Sequence, residues 1–303
     1  MICGTKNKIA VIGAGSIGSL VALRLFDSGY DVFLYDYNHT RARENSLKMG
    51  FVPLNEEEVK KIPIPVSSDK SRLKEADIAV VAVKSHALLS VIELLKEHLS
   101  EKCIIITLQN GLSVRPLFLE NFDFYRVYSA VTNIGANKLT DTLVKETGQG
   151  ITYLEKKEHH SAGISSVFVQ SGFTVEIVDD ISRIIWQKAA INCAINPLGA
   201  ILQLKNGELA ENPELLALMC DIAKEVEIVA HAAGYNIAQD WCKTLTEICV
   251  KTAGSYNSMA QDVQRKRQTE IYALNGAVCE TAAEYSLASP LNSTLVALVR
   301  ALE

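Results

Sequence analysis

The sequence predicts two domains: an α/β domain with a parallel sheet over residues 1–178, and an all-α domain over residues 179–303. Up to Val178, short apolar runs alternate with helical stretches, as in successive strand–helix–strand units. From Asp179 onward the period-two runs disappear and long helical patterns replace them. A length of 303 residues agrees with two domains, and 48% hydrophobic residues provide material for both cores.

In the first domain, apolar runs predict the strands and terminal glycines help to delimit the helices between them. Helices are expected over 16–29, where Gly29 ends the pattern, over 88–99 and near 158–171. The run 143–155 predicts a β-hairpin, with Gly148 and Gly150 in its turn. The remaining predicted strands are short apolar segments: residues 8–13, 31–36, 76–84, 103–108, 126–132 and 173–178.

The second domain is predicted to consist of long helices. Pro213 and Pro290 stand at or near helix starts, where a proline is tolerated because the first helical N–H has no intrahelical partner. The helical patterns cover residues 181–195, 213–233, 238–252 and 255–286.

A glycine-rich loop follows the first strand and opens the first helix. Gly13, Gly15 and Gly18 have the G-x-G-x-x-G spacing, which allows a tight turn, a close approach of pyrophosphate and a close helix–strand contact. The helix N-terminus adds N–H groups for the phosphates. This context predicts a Rossmann-type dinucleotide-binding domain. The expected cofactor-contacting residues of the loop are Gly13, Ala14, Gly15, Ser16, Ile17 and Gly18.

Other candidate cofactor residues stand at predicted strand ends. Asp36 ends the second strand, where a carboxylate bonds a ribose 2′-OH and repels a 2′-phosphate, so it favours NADH. Arg41 and Arg43 are interpreted as exposed residues at a helix start, although either could serve a phosphate instead. Lys84 ends the third strand, and is either a cofactor or substrate contact or a surface lysine. Asn110 follows the fourth strand, in an Asn-Gly pair that is usually a simple turn.

An apolar helix in the second domain carries an unusual polar stripe. Lys188, Asn192 and Asn196 recur every four residues within WQKAAINCAINPL and therefore share one side of the helix. The lysine could reach solvent along its own methylene chain, but the short asparagines could not, and buried amides need partners. The stripe therefore predicts a polar surface or a ligand opposite it. Pro197 is expected to break or kink the helix.

Ser258 and Glu270 are further polar candidates. On an unbroken helix they lie roughly 120° apart, so they converge only if the segment bends. On spacing alone, the favoured interpretation of Glu270 is an exposed glutamate paired with Arg267 or Lys266.

Charge and cysteine content exclude several classes of function. A net charge of −5 argues against nucleic-acid or anionic-membrane partners, and no segment has the length of a membrane span. The odd cysteine count, without any CxxC pair, fits neither a disulfide framework nor a zinc site, so no metal is expected. Reduced, mostly buried thiols in a cytoplasmic protein are predicted for Cys3, Cys103, Cys193, Cys220, Cys242, Cys249 and Cys279.

Taken in order, these motifs resemble the ketopantoate reductases (2-dehydropantoate 2-reductases) over essentially the whole chain. The resemblance rests on GAGSIGS, VAVKSHAL, LQNGL, WQKAAINCAINPLGAI followed by NGEL, SMAQDVQRKRQTEIYALNG and SPLNSTLVALVRALE. It implies a Rossmann domain followed by a helical domain, and NAD(P)H-dependent reduction of 2-dehydropantoate to pantoate in pantothenate and coenzyme A biosynthesis.

The resemblance also implies roles for the candidate residues. Lys188 matches the general acid and Glu270 the glutamate that holds the substrate, while Lys84 matches a lysine of the cofactor and substrate cleft. Substrate contacts are implied for Asn110, Asn192, Asn196 and Ser258, with Asn110 also near the cofactor. The family generally uses NADPH, whereas Asp36 argues for NADH. The sequence leaves three other functions open: reduction of another 2-keto acid, a related hydroxy-acid or polyol-phosphate dehydrogenase activity, and non-catalytic nucleotide sensing. It also leaves open whether the chain forms a homodimer.

Overall fold

The computed structural model describes residues 7–45 and 49–303, so the predicted thiol of Cys3 lies outside the described part. The chain forms two units: the described residues up to Gln109 together with Val114–Ile181, and Asn110–Ser113 together with Ser182–Glu303. The strands are β1 Lys8–Ile12, β2 Asp31–Tyr35, β3 Met49–Val52, β4 Lys60–Ile62, β5 Val66–Ser67, β6 Ile78–Val81, β7 Ile104–Thr107, β8 Val127–Thr132, β9 Gly135–Thr140, β10 Leu143–Gly148, β11 Ile151–Glu155 and β12 Thr174–Val178.

The first unit contains an eight-stranded sheet in the order β12-β11-β8-β7-β6-β1-β2-β5. All neighbours are parallel except β8 and β11. Ile12 pairs with both Tyr35 and Val81, and Val81 with Thr107, so four strands end in line. Crossover helices of the unit are α1 Ser16–Asp27, α2 His39–Asn45, α3 Leu88–His98, α4 Val114–Asn121 and α5 Ser161–Gln170.

Two apolar layers cover the faces of this sheet. One layer packs Leu20 of α1 and Ile164 of α5 against the strands, and the other packs Val91 of α3 and Phe118 of α4. Strands covered on both faces read as continuous apolar runs, which is why they were predictable from the sequence.

The predicted hairpin over 143–155 is wrong, because its two strands belong to different sheets. β10 joins a second, four-stranded sheet in the order β4-β3-β10-β9, whereas β11 pairs with β8 and β12. Gly150 permits the crossing: a Cβ on it would lie 2.4 Å from the carbonyl of Asn133. A buried ion pair ties the second sheet to α1, since Arg24 Nη2 donates to both carboxylate oxygens of Glu146 at 2.6 Å.

The second unit is helical around one core, which includes Trp186, Val226 and Trp241. Its helices are α6 Ile181–Leu202, α7 Asn206–Glu211, α8 Pro213–Ala232, α9 Trp241–Lys251, α10 Ser258–Gln264, α11 Ala277–Glu284 and α12 Pro290–Arg300.

Two helices in this unit differ from their predictions. The break that is one of the two outcomes expected at Pro197 is absent: helix α6 continues to Leu202, and neighbouring side chains bond two of its carbonyls near the proline, as described below. The predicted helix over 255–286 is interrupted after α10, where Lys266 has a positive φ of 51°, and resumes as a π-helical turn, Tyr272–Gly276, that leads into α11.

The expectation that all cysteines are reduced is also wrong. Cys220 of α8 and Cys242 of α9 form a disulfide, with their Cα atoms 5.2 Å apart. The packing of α8 against α9 brings them together, and no local spacing in the sequence announces such a pair. Cys103, Cys193 and Cys249 are buried thiols and Cys279 is half-buried.

Within the described residues, no helix is long and apolar enough to cross a membrane. The same part of the chain contains no group of three or more His, Cys, Asp or Glu side chains placed to hold a metal ion.

Candidate functional site

The glycine loop has the geometry that a dinucleotide pyrophosphate requires. Gly13 has a φ of +110°, and a Cβ there would lie 2.8 Å from the Val83 side chain. A Cβ on Gly18 would lie 2.0 Å from the Gly13 carbonyl oxygen, so α1 packs directly on the turn. A Cβ on Gly15 would meet nothing within 4 Å, which leaves open space beside the loop. These three observations fit the pyrophosphate of a dinucleotide.

The N-terminus of α1 is suited to phosphate. Gly15 occupies the N-cap without a side-chain cap, and the first turn carries no acidic residue. The N–H groups of that turn and the positive end of the helix dipole therefore favour an anionic group.

Lys138 of β9 borders this loop, and sequence reasoning missed it. Its Nζ donates to the Ala14 carbonyl at 2.7 Å, and its backbone N–H donates to Ser16 Oγ at 3.1 Å. The ammonium adds positive charge beside the loop, which favours a phosphate there. The sequence could not show this contact, because more than a hundred residues separate Lys138 from the loop.

Asp36 follows β2 but does not present an open carboxylate. The residue is 1% exposed, and Arg41 donates to both carboxylate oxygens, from Nε and, at 2.6 Å, from Nη2. The Asn38 backbone N–H also donates to Oδ1, at 3.0 Å. Interpreting Arg41 as a simple exposed residue was therefore wrong, although Arg43 is exposed. The hydrogen bond and the charge of Asp36 raise the pKa of Arg41.

Lys84 lies beyond β6, which ends at Val81, so the prediction that it ends this strand was wrong by three residues. It is half-buried and precedes the short 3₁₀ turn Ser85–Ala87.

The polar stripe of the second unit lies on α6. Lys188 and Asn192 are half-buried, and Asn196 is 7% exposed. Burial lowers the pKa of Lys188 to about 8, although the nearby Glu270 carboxylate partly opposes the shift. An ammonium with a pKa near neutral pH can give up its proton during a reaction, as a general acid must.

Asn110 and Glu270 stand on segments that contact each other. The Leu112 backbone N–H, directly after the Asn-Gly pair, donates to the Ala273 carbonyl at 3.1 Å. Gly111 has a φ of +115°, and a Cβ on it would lie 3.0 Å from Ala273. The Asn-Gly pair is therefore a turn that brings Asn110 towards the π-helical turn after Glu270.

The segment break after α10 gives Ser258 and Glu270 separate supports. Ser258 is exposed at the start of α10, where Asn257 Oδ1 accepts from Ala260 N–H as the N-cap, at 2.9 Å. Glu270 is half-buried and follows Thr269, whose N–H and Oγ1 both donate to Glu303 Oε1, at 2.8 and 2.6 Å. The segment is interrupted between these two residues, which is the condition under which the sequence spacing allows them to converge.

Two buried asparagines bond the backbone of α6 between Asn192 and Asn196. Asn275 Nδ2 donates to the Cys193 carbonyl at 3.2 Å, and Asn257 Nδ2 donates to the Ile195 carbonyl at 3.4 Å. The sequence gave no indication of this role, because both asparagines are more than sixty residues away from the carbonyls they bond. Together, a partly deprotonatable lysine, two amides and a neighbouring glutamate can bind a small oxygen-rich molecule and protonate it.

The sequence model described as "Ketopantoate reductase PanE/ApbA" matches residues 9–159, and "Ketopantoate reductase PanE/ApbA C terminal" matches residues 180–303. The chain is similar to the 2-dehydropantoate 2-reductase of Archaeoglobus fulgidus, at 31% identity over 98% of both chains. It is also similar to that of Pyrococcus abyssi, at 30% identity over 98% of both. A crystal structure of a PanE/ApbA family ketopantoate reductase from Ralstonia eutropha JMP134 aligns with a TM-score of 0.88 at 27% identity, covering 97% of this chain and 98% of that one.

Proposed function

The chain belongs to the ketopantoate reductase family, and we propose that it reduces 2-dehydropantoate to pantoate with a nicotinamide cofactor. In this proposal residues 1–178 bind the cofactor, and residues 179–303 together with Asn110 bind the keto acid. The observation that carries the proposal is Lys188, an ammonium with a pKa of about 8 on a helix stripe with two asparagines.

Lys188 acts as the general acid. The cofactor supplies a hydride when bound, and hydride addition to the C2 carbonyl carbon places negative charge on the carbonyl oxygen. The Lys188 ammonium stabilises that charge and transfers a proton from Nζ to the oxygen, which forms the hydroxyl group. The neutral amine then takes a proton from solvent, so the ketone is reduced to an alcohol and the lysine is regenerated.

The remaining polar residues bind and orient the keto acid. The amides of Asn110, Asn192 and Asn196 provide directional donors for a carboxylate and acceptors for a hydroxyl group. Glu270 accepts a hydrogen bond from the substrate hydroxyl group and keeps the Lys188 pKa from falling further. Ser258 adds a hydroxyl group from the start of α10.

Steady-state reduction by the purified protein tests this function. We expect 2-dehydropantoate to be reduced with a higher kcat/KM than other branched 2-keto acids. Lys188→Met should lower kcat by about 10²–10⁴-fold, because methionine has a similar length to lysine but cannot donate a proton. The dissociation constant of the cofactor should be unchanged. Full turnover by Lys188→Met, or no reduction of 2-dehydropantoate by the native chain, would reject the proposal.

For the cofactor, we propose a preference for NADPH, mediated by Arg41. The Asp36 carboxylate is buried and its two oxygens are occupied by Arg41, so it is placed to orient the guanidinium rather than to bond a ribose hydroxyl group. A half-buried, oriented guanidinium is well suited to a 2′-phosphate.

Arg41→Met tests the cofactor proposal. It should raise the KM for NADPH by about tenfold or more, the loss of one charge-assisted contact, and change the KM for NADH less. Arg43→Met, an exposed neighbour on the same helix, is the matched control and should change neither value. An equal effect of Arg41→Met on both cofactors would refute selection by this residue.

Reduction of another keto acid and nucleotide sensing are not favoured. The two relatives named above are 2-dehydropantoate 2-reductases, and the chain matches them along almost their whole length. A nucleotide sensor would need neither Lys188 nor Glu270. A homodimer stays a proposal. Its candidate contact residues are exposed apolar side chains of the second unit, Ile228, Val250 and Leu298. Sedimentation velocity measures the oligomeric state.

A further inference from the structure

Helix α6 carries the polar stripe through an internal proline, and this has a cost in backbone hydrogen bonding. Pro197 has no N–H, so the Cys193 carbonyl, four residues earlier, loses its normal helical donor. A buried carbonyl without a partner is unfavourable because it has lost its hydrogen bonds to water, and the proline ring crowds the same carbonyl. The helix nevertheless continues to Leu202.

Asn275 replaces the missing donor. Its Nδ2 donates to the Cys193 carbonyl at 3.2 Å and to Asn292 Oδ1 at 2.8 Å. Asn292 is held in turn by Glu225, whose Oε1 accepts from both its backbone N–H and its Nδ2. Asn275 and Asn292 are both fully buried. A chain of hydrogen bonds therefore extends from α8 through α12 and the π-helical turn to α6.

Asn257 makes a second connection. Its Oδ1 caps α10, while its Nδ2 donates to the Ile195 carbonyl of α6 at 3.4 Å. The approach requires Gly199, because a Cβ there would lie 2.1 Å from Asn257 Nδ2. One side chain thus joins the start of the helix that presents Ser258 to the part of α6 that presents Asn196.

We propose that Asn257 and Asn275, the asparagine pair, are positioning residues for the reaction. They bond α6 carbonyls between Asn192 and Asn196, one from the residue before Ser258 and the other from the π-helical turn after Glu270. The pair therefore holds three polar segments of the second unit in register. Neither asparagine needs to touch the substrate. The inference rests on the proposed reductase function.

A double-mutant cycle with Pro197 tests the proposal. Asn275→Ala should lower kcat by about tenfold or more, since small misplacements of catalytic groups have effects of this size or larger. Pro197→Ala restores an N–H that can bond the Cys193 carbonyl and should change kcat less than about threefold. In the double variant, kcat should stay within about threefold of that of Asn275→Ala, because the helix then supplies the missing donor but does not restore the link between α6 and the turn after Glu270.

Several readouts separate positioning from simple destabilisation. The concentration of active sites is determined by cofactor titration, and kcat is calculated per active site. A smaller folded fraction therefore does not lower the measured kcat. The KM for the keto acid should rise in Asn275→Ala while the dissociation constant of the cofactor is unchanged. An unchanged kcat in Asn275→Ala, or recovery of kcat in the double variant to the value of Pro197→Ala, would overturn the proposal.

Asn257→Ser provides a second test if Asn275→Ala folds poorly. Serine keeps an N-cap oxygen for α10 but is too short to donate to Ile195, so kcat should fall about fivefold with little loss of stability. The matched control is Asn212→Ser, since Asn212 caps α8 through its Oδ1; it should leave kcat and KM unchanged. Equal kcat values for the two serine variants would count against the pair. Absence of activity in the native chain would instead reject the proposed function.

Discussion

At the scale of single residues, the environment of Lys188 determines what the polar stripe can do. Sequence spacing places the lysine among apolar residues, but only burial explains why its pKa lies near 8 instead of 10.5. Between these two pH values the unfolded chain binds more protons at this residue than the folded chain does. The contribution of Lys188 to the free energy of unfolding therefore becomes more favourable as the pH rises through that window, and burial of its charge is unfavourable below it.

The pH dependence of kcat should report this pKa. A general acid must be protonated, so kcat for reduction should fall about tenfold per pH unit above about pH 8. Glu270→Gln removes the charge that raises the pKa of Lys188, and should move this alkaline limb to lower pH. Glu280→Gln, at an exposed site on α11, is the control and should leave the limb in place. A limb that does not move in Glu270→Gln would contradict the coupling of Lys188 with Glu270.

At the scale of elements, loop and helix geometry follows from which atoms approach the backbone. Helix α1 can pack on the β1 turn only because Gly18 has no Cβ, whereas Gly15 faces open space. In helix α6, the Cys193 carbonyl that Pro197 leaves without its helical donor accepts a hydrogen bond from Asn275 of another element. Both features depend on contacts of a few atoms, so single substitutions at these positions should have distinct effects on stability or on binding.

A pair of glycine variants separates folding from cofactor binding. Gly18→Ala should destabilise the first unit, since its Cβ would lie 2.0 Å from the Gly13 carbonyl oxygen. Gly15→Ala should leave the melting temperature nearly unchanged but raise the dissociation constant of NADPH and NADH by about tenfold or more, because the methyl group occupies the space meant for pyrophosphate. Calorimetry of the free protein and cofactor titration measure the two effects. Tight cofactor binding by Gly15→Ala would contradict this placement of the pyrophosphate.

At the scale of the whole molecule, the chain has separate cores. Two apolar layers cover the large sheet of the first unit, and one cluster fills the second unit. Both tryptophans, Trp186 and Trp241, belong to the cluster of the second unit. Tryptophan fluorescence therefore reports the helical unit, and cofactor binding reports the glycine loop of the first.

Because the cores are separate, we predict that a substitution that destabilises one unit leaves the unfolding midpoint of the other unchanged. Arg24→Met breaks the buried pair with Glu146 and should lower the free energy of unfolding of the first unit by about 3 kcal/mol. In urea, loss of cofactor binding should then occur at lower concentration, while the tryptophan transition keeps its midpoint. Lys8→Met, which removes the exposed pair with Glu75, is the control and should change either transition little. Equal shifts of both transitions would show that the units unfold together.

Most of the secondary structure was predictable, because it depends on local periodicity. The strand over 8–13, the helix ended by Gly29 and the helix starts at Pro213 and Pro290 agree with the structure within a few residues. The prediction of a hairpin over 143–155 was wrong because strand pairing depends on tertiary contacts, and the two strands join different sheets despite the short connection between them. The small sheet was otherwise unpredicted, since its short strands lack a clear apolar pattern.

By itself, the sequence determined the fold class, the glycine loop and the stripe of Lys188, Asn192 and Asn196, because each depends on spacing along the chain. Tertiary structure alone decided the pairing of Asp36 with Arg41, the Cys220–Cys242 disulfide and the position of Lys138 beside the glycine loop. It also decided how α6 passes Pro197, through Asn275. Partners distant in sequence, or chosen among several possible neighbours, are brought together only by packing, which no local pattern encodes.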